Sequence, residues 1–310
     1  MEKYWYPVDF SGFKIKEINL FGNEILVLNN GKYFAFQNRC PHRNAKLSLG
    51  KIMSDRIKCS YHGWEFDMNG KCVYVPSSDS EGHVNLKKYN IKEKNGIVWI
   101  SLDIPDHDVP EFPEFNDMTF RKIKCGPYVF NSNPFRVMEN ILDVSHFAFV
   151  HEGYLGDSKY PQIPKYEVEV NNNEIIAKDI KVWQPNPDGT GETKLVSYTY
   201  KVLDPLILYF RKNSDEKIFS MYFAIFPESK QKSIVYAWIA MNYAFEYSEE
   251  KIRSFEDEVM SQDKMVVESQ PYEYYLDVSK ESHVEADKAT ILYRYWINKK
   301  IGKRSDIGLI

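Results

Sequence analysis

Two short segments, Cys40-Pro41-His42-Arg43 and Cys59-Ser60-Tyr61-His62-Gly63-Trp64, each carry one cysteine and one histidine, with sixteen residues between His42 and Cys59. Each pair is short enough to sit on one tight loop. Two thiolates and two neutral imidazoles form a ligand set for a zinc ion or for a [2Fe–2S] cluster. Zinc sites usually pair Cys with Cys and His with His along the chain. Here each loop brings one of each, so each loop can reach both irons of a cluster. In that arrangement the cysteines hold one iron and the histidines the other, which raises the reduction potential. The chain has 310 residues but only four cysteines, Cys40, Cys59, Cys72 and Cys125. A chain of that length in a reducing compartment needs no disulfides, so paired cysteines suggest metal binding or catalysis.

The pairs lie in a region that reads as antiparallel strands. Glu24-Ile25-Leu26-Val27-Leu28 precedes the turn Asn29-Asn30-Gly31, Tyr33-Phe34-Ala35-Phe36 follows, and Gly96-Ile97-Val98-Trp99-Ile100 closes the series. Pro105, Pro110 and Pro113 then punctuate an acidic stretch unsuited to helix or central strand. The reading is a first domain over 1–105, a Pro-rich linker over 106–115 and a second domain over 116–310. From about 166 to 245 strands return, and Pro185-Asn186-Pro187-Asp188-Gly189-Thr190-Gly191 is a loop. Two segments read as helices, at about 137–150 and 248–270. No internal repeat or low-complexity tract is present. The fold class is α+β.

The run from Phe135 to Gly153 holds two more of the seven histidines, His146 and His151. Asn140, Asp143 and His146 step by three, about 60° apart on a helix, and so share one face. His146 and His151 are five apart, about 140° apart on an ideal helix. Both reach one metal only if the helix widens or ends. A π-bulge would widen it, and Gly153 supports a nearby helix end. Two histidines call for one carboxylate to complete the facial triad of non-haem Fe(II) oxygenases, which leaves positions open for O2 and substrate.

The helix at 248–270 supplies candidates. Ile252, Phe255, Val259, Val266 and Val267 define an apolar stripe at helical spacing. Asp263 falls inside it, about 40° beyond Val259. Asp257, Glu258 and Glu268 point away, and Glu256 lies near the face as the competitor. A lone carboxylate facing a core is costly unless paired or bound to metal.

Cys40-Pro41-His42-Arg43, then Ala45-Lys46-Leu47-Ser48-Leu49-Gly50, then Cys59-x-x-His62-Gly63-Trp64 resemble the Rieske family. Asn140-x-x-Asp143-x-x-His146-x-x-x-x-His151 is similar to the iron-binding motif of Rieske oxygenase α subunits, and Gln262-Asp263-Lys264-Met265-Val266-Val267-Glu268 to the family segment carrying the third ligand. The resemblance covers nearly the whole chain and includes the run Tyr293-Arg294-Tyr295-Trp296. One departure is Asn44, where the family commonly has Gly; Asn tolerates the left-handed region better than most residues.

The resemblance implies an N-terminal antiparallel-β Rieske [2Fe–2S] domain held by Cys40, His42, Cys59 and His62. A helix-grip-like catalytic domain follows, an antiparallel sheet with helices, whose mononuclear Fe(II) is held by His146, His151 and Asp263, with Asn140 near the iron. Asp143 matches the aspartate that links the Rieske histidine of one subunit to the iron ligand of its neighbour, which implies a head-to-tail homotrimer. NAD(P)H would supply electrons through a reductase, directly or by way of a ferredoxin. With O2, the chain would hydroxylate or oxidatively demethylate a small-molecule substrate. An α-only chain of this length resembles the monooxygenases, including O-demethylases and the hydroxylases of saxitoxin-type pathways; the alternative in the family is an aromatic cis-dihydroxylating dioxygenase. A Rieske electron carrier, or a zinc-ribbon module, is the reading of another class.

The remaining features are negative. A formal net charge of −4 argues against a nucleic-acid partner. No apolar run approaches the roughly 20 residues that cross a bilayer, and Met1-Glu2-Lys3-Tyr4-Trp5-Tyr6 lacks a signal-peptide layout, so a cytoplasmic protein off the membrane is expected. Cys72 and Cys125 are expected as buried small hydrophobes, and His83, His107 and His283 as surface residues. Tyr222, Phe223, Phe226, Tyr236 and Trp238 are expected in the sheet core, with some of them on a cavity wall.

Overall fold

The computed structural model describes residues 1–171, 173–187, 191–271 and 277–301. The chain divides into two units, Glu2–Val109 and Pro110–Ile310, the latter with Met1.

The first unit is built from ten strands: β1 (Tyr6–Phe10), β2 (Ile15–Leu20), β3 (Asn23–Asn29), β4 (Tyr33–Gln37), β5 (Lys51–Ile52), β6 (Arg56–Lys58), β7 (Glu65–Asp67), β8 (Cys72–Tyr74), β9 (Asn90–Lys94) and β10 (Ile97–Ser101). They form three antiparallel sheets, ordered β1-β10-β9, β2-β3-β4 and β5-β6-β7-β8. Ile25 through Leu28 are all buried, as are all five residues of β10, so these strands are covered on both faces. Cys40 and Cys59 sit in one apolar cluster with Leu26, Phe36, Leu47, Ile57 and Phe66. Burial there fixes the roots of the two loops that carry the histidines.

The second unit contains β11 (Arg121–Phe130), α1 (Pro134–Leu142), α2 (Phe147–Val150), β12 (Glu167–Val170), β13 (Ile175–Gln184), β14 (Lys194–Asp204), β15 (Ile207–Ser214), β16 (Lys217–Ser229), β17 (Lys232–Met241), α3 (Glu249–Ser269) and α4 (Lys288–Ile301). One antiparallel sheet runs β11-β17-β16-β15-β14-β13-β12. Strands β12 to β17 follow one another as a meander, and β11 closes the far edge beside β17. Strict alternation along β14 sends Val196, Tyr198, Tyr200 and Val202 to one buried face. Helix α3 packs on β11 and α1, and α4 on α1, β12 and β13.

The helix starts follow ordinary capping chemistry. Asn133 accepts from the Phe135 amide, with Pro134 at the first helical position. Ser248 accepts from the Lys251 amide, and Glu249 and Glu250 lie in the first turn of α3, where acids suit the helix dipole. A buried ion network locks α1 in place. Arg294 of α4 makes a double contact with Glu139 of α1, and Glu281 bridges Arg294 to Arg136.

The helix expected over 137–150 is broken. Helix α1 stops at Leu142, Asp143 turns extended (φ −82°, ψ 138°), and α2 begins only at Phe147. The cause is local: the Asp143 carboxylate accepts from the Ser145 amide at 2.8 Å, an Asx turn that competes with the helix. The loop at 185–191 lies partly outside the described residues, at 188–190. No described helix is long and apolar enough to cross a membrane.

Candidate metal centres and the cavity beside them

The two Cys-His loops of the first unit are copies of one turn. The Cys40 amide donates to the Ala45 carbonyl at 2.8 Å, and the Cys59 amide to the Trp64 carbonyl at 2.8 Å. The Cys40 carbonyl accepts from Asn44 and the Cys59 carbonyl from Gly63, each four residues on. Both of these residues have positive φ, 55° at Asn44 and 71° at Gly63. Asn44 thus occupies the left-handed position that the second loop fills with glycine.

The rings of His42 and His62 lie 4.5 Å apart between centroids, and Trp64 stacks on His42 at 4.6 Å. His42 Nδ1 is buried with no hydrogen-bond partner. A buried ring nitrogen left bare in this way fits a metal bond. Burial, reinforced by His62 and Arg43, lowers the His42 pKa and keeps the imidazole neutral, the form that ligates. Burial and the adjacent Cys59 push the Cys40 thiol up to about 11, so a metal is needed to hold the thiolate.

The spacing speaks against a single zinc. Four donors at about 2.0–2.3 Å from one tetrahedral ion would all lie within about 4 Å of each other. Among the described residues, the only three candidate donors within 4.8 Å of one another are His146, His151 and Asp263. Cys40, His42, Cys59 and His62 supply no such group of three.

In the second unit the break between α1 and α2 does what a π-bulge was expected to do. His146 precedes α2 and His151 follows it, and the short helix turns both rings to one point. His146 Nε2 is 3.2 Å from His151 Nε2, and Asp263 Oδ1 is 3.3 Å from the first and 3.0 Å from the second. Gly156 makes room for this turn: a Cβ there would stand 2.5 Å from the Ala148 amide nitrogen.

The outer nitrogens settle the tautomers. His151 Nδ1 donates to Gln262 Oε1 at 2.8 Å, while the Gln262 amide group donates to Glu258. His146 Nδ1 faces Asp143 Oδ2 at 3.2 Å. With both Nδ1 atoms protonated, both Nε2 atoms present lone pairs to each other and to a carboxylate oxygen. Three acceptors at one point repel unless a cation sits among them. Bonds of about 2.1 Å at right angles would place such donors about 3 Å apart, so the set fits an octahedral metal on one face.

Burial opposes ionisation of Asp263, but the adjacent imidazoles of His146 and His151 favour its charged form and hold it well below the usual carboxylate range. Burial likewise disfavours charge on His146, yet Asp143 and Asp263 raise its pKa to about 9. The site is electrostatically prepared for positive charge.

Asp263, not Glu256, is the acid that meets the histidines, and Asn140 donates to Asp263 Oδ1 at 3.1 Å. The apolar stripe expected on α3 needs correction. Phe255 and Val266 are 43% and 42% exposed, and the buried face is Glu256, Val259, Met260, Asp263 and Val267. Apolar residues alone mark a different stripe, because the covered face is the one turned to β11 and α1. Gln262 escaped sequence reasoning, although its place beside Asp263 was a signal.

His146, His151 and Asp263 lie in the wall of a cavity of about 480 Å³, within the range of small-molecule sites. Its other walls include the aromatic rings of Phe147, Tyr198, Tyr200, Phe210, Phe219 and Phe223. Of the five aromatics named from the sequence, Phe223 alone lines it. The alternation of Tyr198 and Tyr200 in β14 was the readable cue to the rest. Cys72 and Cys125 are fully buried, and His83 and His107 are exposed. His283 is half-buried against the Val278 carbonyl, a correction to its expected surface place.

Residues 5–92 match the family described as Rieske [2Fe-2S] domain, and residues 130–303 match the Vanillate O-demethylase oxygenase C-terminal domain. The methylxanthine N1-demethylase NdmA of Pseudomonas putida is 30% identical, over 91% of this chain and 81% of its own length. The methylxanthine N3-demethylase NdmB of the same species is 26% identical, over 96% and 88%. The solved structure of Pseudomonas putida CBB5 NdmA with caffeine superposes with a TM-score of 0.82 at 26% identity, covering 99% of this chain and 94% of that one.

Proposed function

The chain belongs to the Rieske oxygenases whose catalytic domain is of the vanillate O-demethylase type, and from that premise we propose that it oxidatively demethylates a small N-methylated heterocycle. It is an O2-dependent oxidoreductase that uses a [2Fe–2S] cluster, a mononuclear Fe(II) and electrons supplied by a reductase. NdmA and NdmB, each matched over more than nine-tenths of the chain, are N-demethylases.

The observation that carries the reading is the convergence of His146 Nε2, His151 Nε2 and Asp263 Oδ1 in the wall of an aromatic cavity. In this reading these three residues hold the iron, while Cys40 and Cys59 hold one iron of the cluster and His42 and His62 the other. Bound there, the iron supplies O2 activation with two external electrons, one oxygen atom going to a substrate C–H carbon and the other to water. The chain's own part is orientation. Gln262 holds His151 in the ligating tautomer, Asn140 fixes the Asp263 oxygen, and the aromatic walls receive a flat ring and exclude water.

Electron entry is read through Asp143, in a head-to-tail homotrimer closed by rotation. Two features support it: His62 is exposed, and Asp143 keeps 27% of its side chain open while it holds His146. A cytoplasmic location fits a chain whose four cysteines form no disulfide.

The test is iron analysis joined to product analysis. Loaded wild type should hold about three irons per chain, and His146→Ala about two. With a surrogate reductase, NADH and a panel of N-methyl heterocycles, wild type should release formaldehyde only when O2 is present. A wild type with about two irons and no O2-dependent product would make the chain an electron carrier.

A further inference from the structure

Glu256 lies on α3 seven residues before Asp263, about 10 Å along the helix. It is only 5% exposed, it lines the cavity, and its carboxyl group has no hydrogen-bond or ion-pair partner among the described residues. The hydroxyl of Tyr200, across the same cavity, is also buried and unpartnered. A buried hydroxyl without a partner is costly to the free protein, and a ligand that meets it and the Glu256 carboxyl group on the same void removes that cost.

Resting on the reading of this cavity as the substrate site, we propose that Glu256 is a specificity-determining residue, whose carboxyl group hydrogen-bonds the carbonyl or ring-nitrogen edge of an uncharged heterocycle and so turns its methyl group toward His146, His151 and Asp263.

The surroundings favour a neutral acid over a carboxylate. Burial, with Asp263 and Asp257 adding repulsion, pushes Glu256 up to about 8. The groups that face it across the packing are Cys125 and Tyr128 of β11 and Tyr198 and Tyr200 of β14. All four are themselves raised by burial, so they stay uncharged through neutrality. The cavity's lysines are engaged elsewhere: Lys212 donates to the Pro187 carbonyl, Lys217 lies over Tyr243, and Lys251 over Tyr247. A protonated carboxyl group donates one hydrogen bond and accepts another. It suits a carbonyl oxygen or an imine-type nitrogen and repels no neutral ring. An anionic ligand would have to share the site with two acids.

The test is equilibrium binding to iron-loaded, anaerobic protein, with caffeine as the neutral carbonyl-bearing probe and vanillate as an anion of similar size. Wild type should prefer caffeine. Glu256→Leu should weaken caffeine binding about tenfold, and Glu256→Gln, which keeps a donor and an acceptor, by no more than about threefold. Wild-type affinity for caffeine should fall as rising pH ionises Glu256, whose pKa burial holds above the usual carboxylate range, whereas Glu256→Gln should show no such step. Should the leucine variant fail to fold, this pH comparison still decides. Equal affinity of wild type and Glu256→Leu, a preference for vanillate, or the same pH step in Glu256→Gln overturns the proposal. Turnover is not measured, so failure of the demethylase reading shows separately, as absent formaldehyde with binding intact.

Discussion

Gln262 Oε1 accepts from His151 Nδ1 at 2.8 Å, and that one bond fixes which nitrogen of the ring faces Asp263. The glutamine sits one residue before the acid on the same helix, so α3 delivers both a donor atom and the group that orients another. Loss of such a partner typically weakens a metal site 10- to 100-fold. Gln262→Leu should therefore lose mononuclear iron to a chelator at about that much lower concentration, while the cluster's visible spectrum is unchanged. Equal retention in both proteins would remove Gln262 from the site.

Asp143 holds His146 from behind and takes the Ser145 amide on its other oxygen. Asp143→Asn should keep the turn, the cluster and the iron, yet lose most O2-dependent turnover if charge on this residue matters to electron entry. Single-turnover product from pre-reduced protein, compared with steady-state rate, checks it. Normal coupling in the variant speaks against the bridge.

The Glu139–Arg294 pair joins α1 to α4 in a buried network that also includes Arg136 and Glu281. Removing one member leaves buried charge uncompensated, at a cost of about 3–5 kcal/mol. Arg294→Met should lower the urea midpoint accordingly and loosen Asn140, one residue after Glu139. A variant as stable as wild type would show the network to be dispensable.

Asn44 occupies a left-handed position at φ 55°, matched by Gly63 at 71° in the second loop. Asn44→Gly should leave the cluster spectrum intact, whereas Asn44→Val should strain the loop by about 1–2 kcal/mol and speed cluster loss. Cluster absorbance during slow heating distinguishes them.

Glu256 gives a stability signature of its own. Its folded pKa is raised from 4.5 to about 8, so the folded state binds more protons than the unfolded chain between those values. Stability is then fully present below about 4.5 and declines as the pH climbs toward 8. Glu256→Gln should lack that decline, gaining on wild type across the window by at most about 5 kcal/mol at 1.36 kcal/mol per unit. Urea midpoints at several pH values measure it, and parallel curves would refute it.

Much of this was readable from residues alone, because donor chemistry is carried by residue type and short spacing. Cys40, His42, Cys59 and His62 need only tight loops to meet, and tight loops are local. The strands around them announced themselves by Val, Ile and aromatic runs ended by Asn and Gly. Where the reading slipped, a competing local interaction or a remote partner had intervened. The helix through 137–150 was extrapolated past Asp143, whose Asx turn ends it. The apolar stripe on α3 carries no mark of the side that β11 and α1 cover, so residue type alone does not show that Phe255 and Val266 face outward or separate Glu256 from Asp263.

Sequence by itself determined the ligand types, the β-rich character of the chain and the helix that carries the acid. Only tertiary structure decided that His146 and His151 meet through a broken helix, that Gln262 sets a tautomer, and that Tyr198, Tyr200 and Glu256 share one cavity. The physical reason is range. Backbone preferences and donor identity act over a few neighbouring residues, whereas a cavity wall is assembled from β13 to β17 and α3, and the burial that leaves Glu256 unpaired exists only once those elements have closed around it.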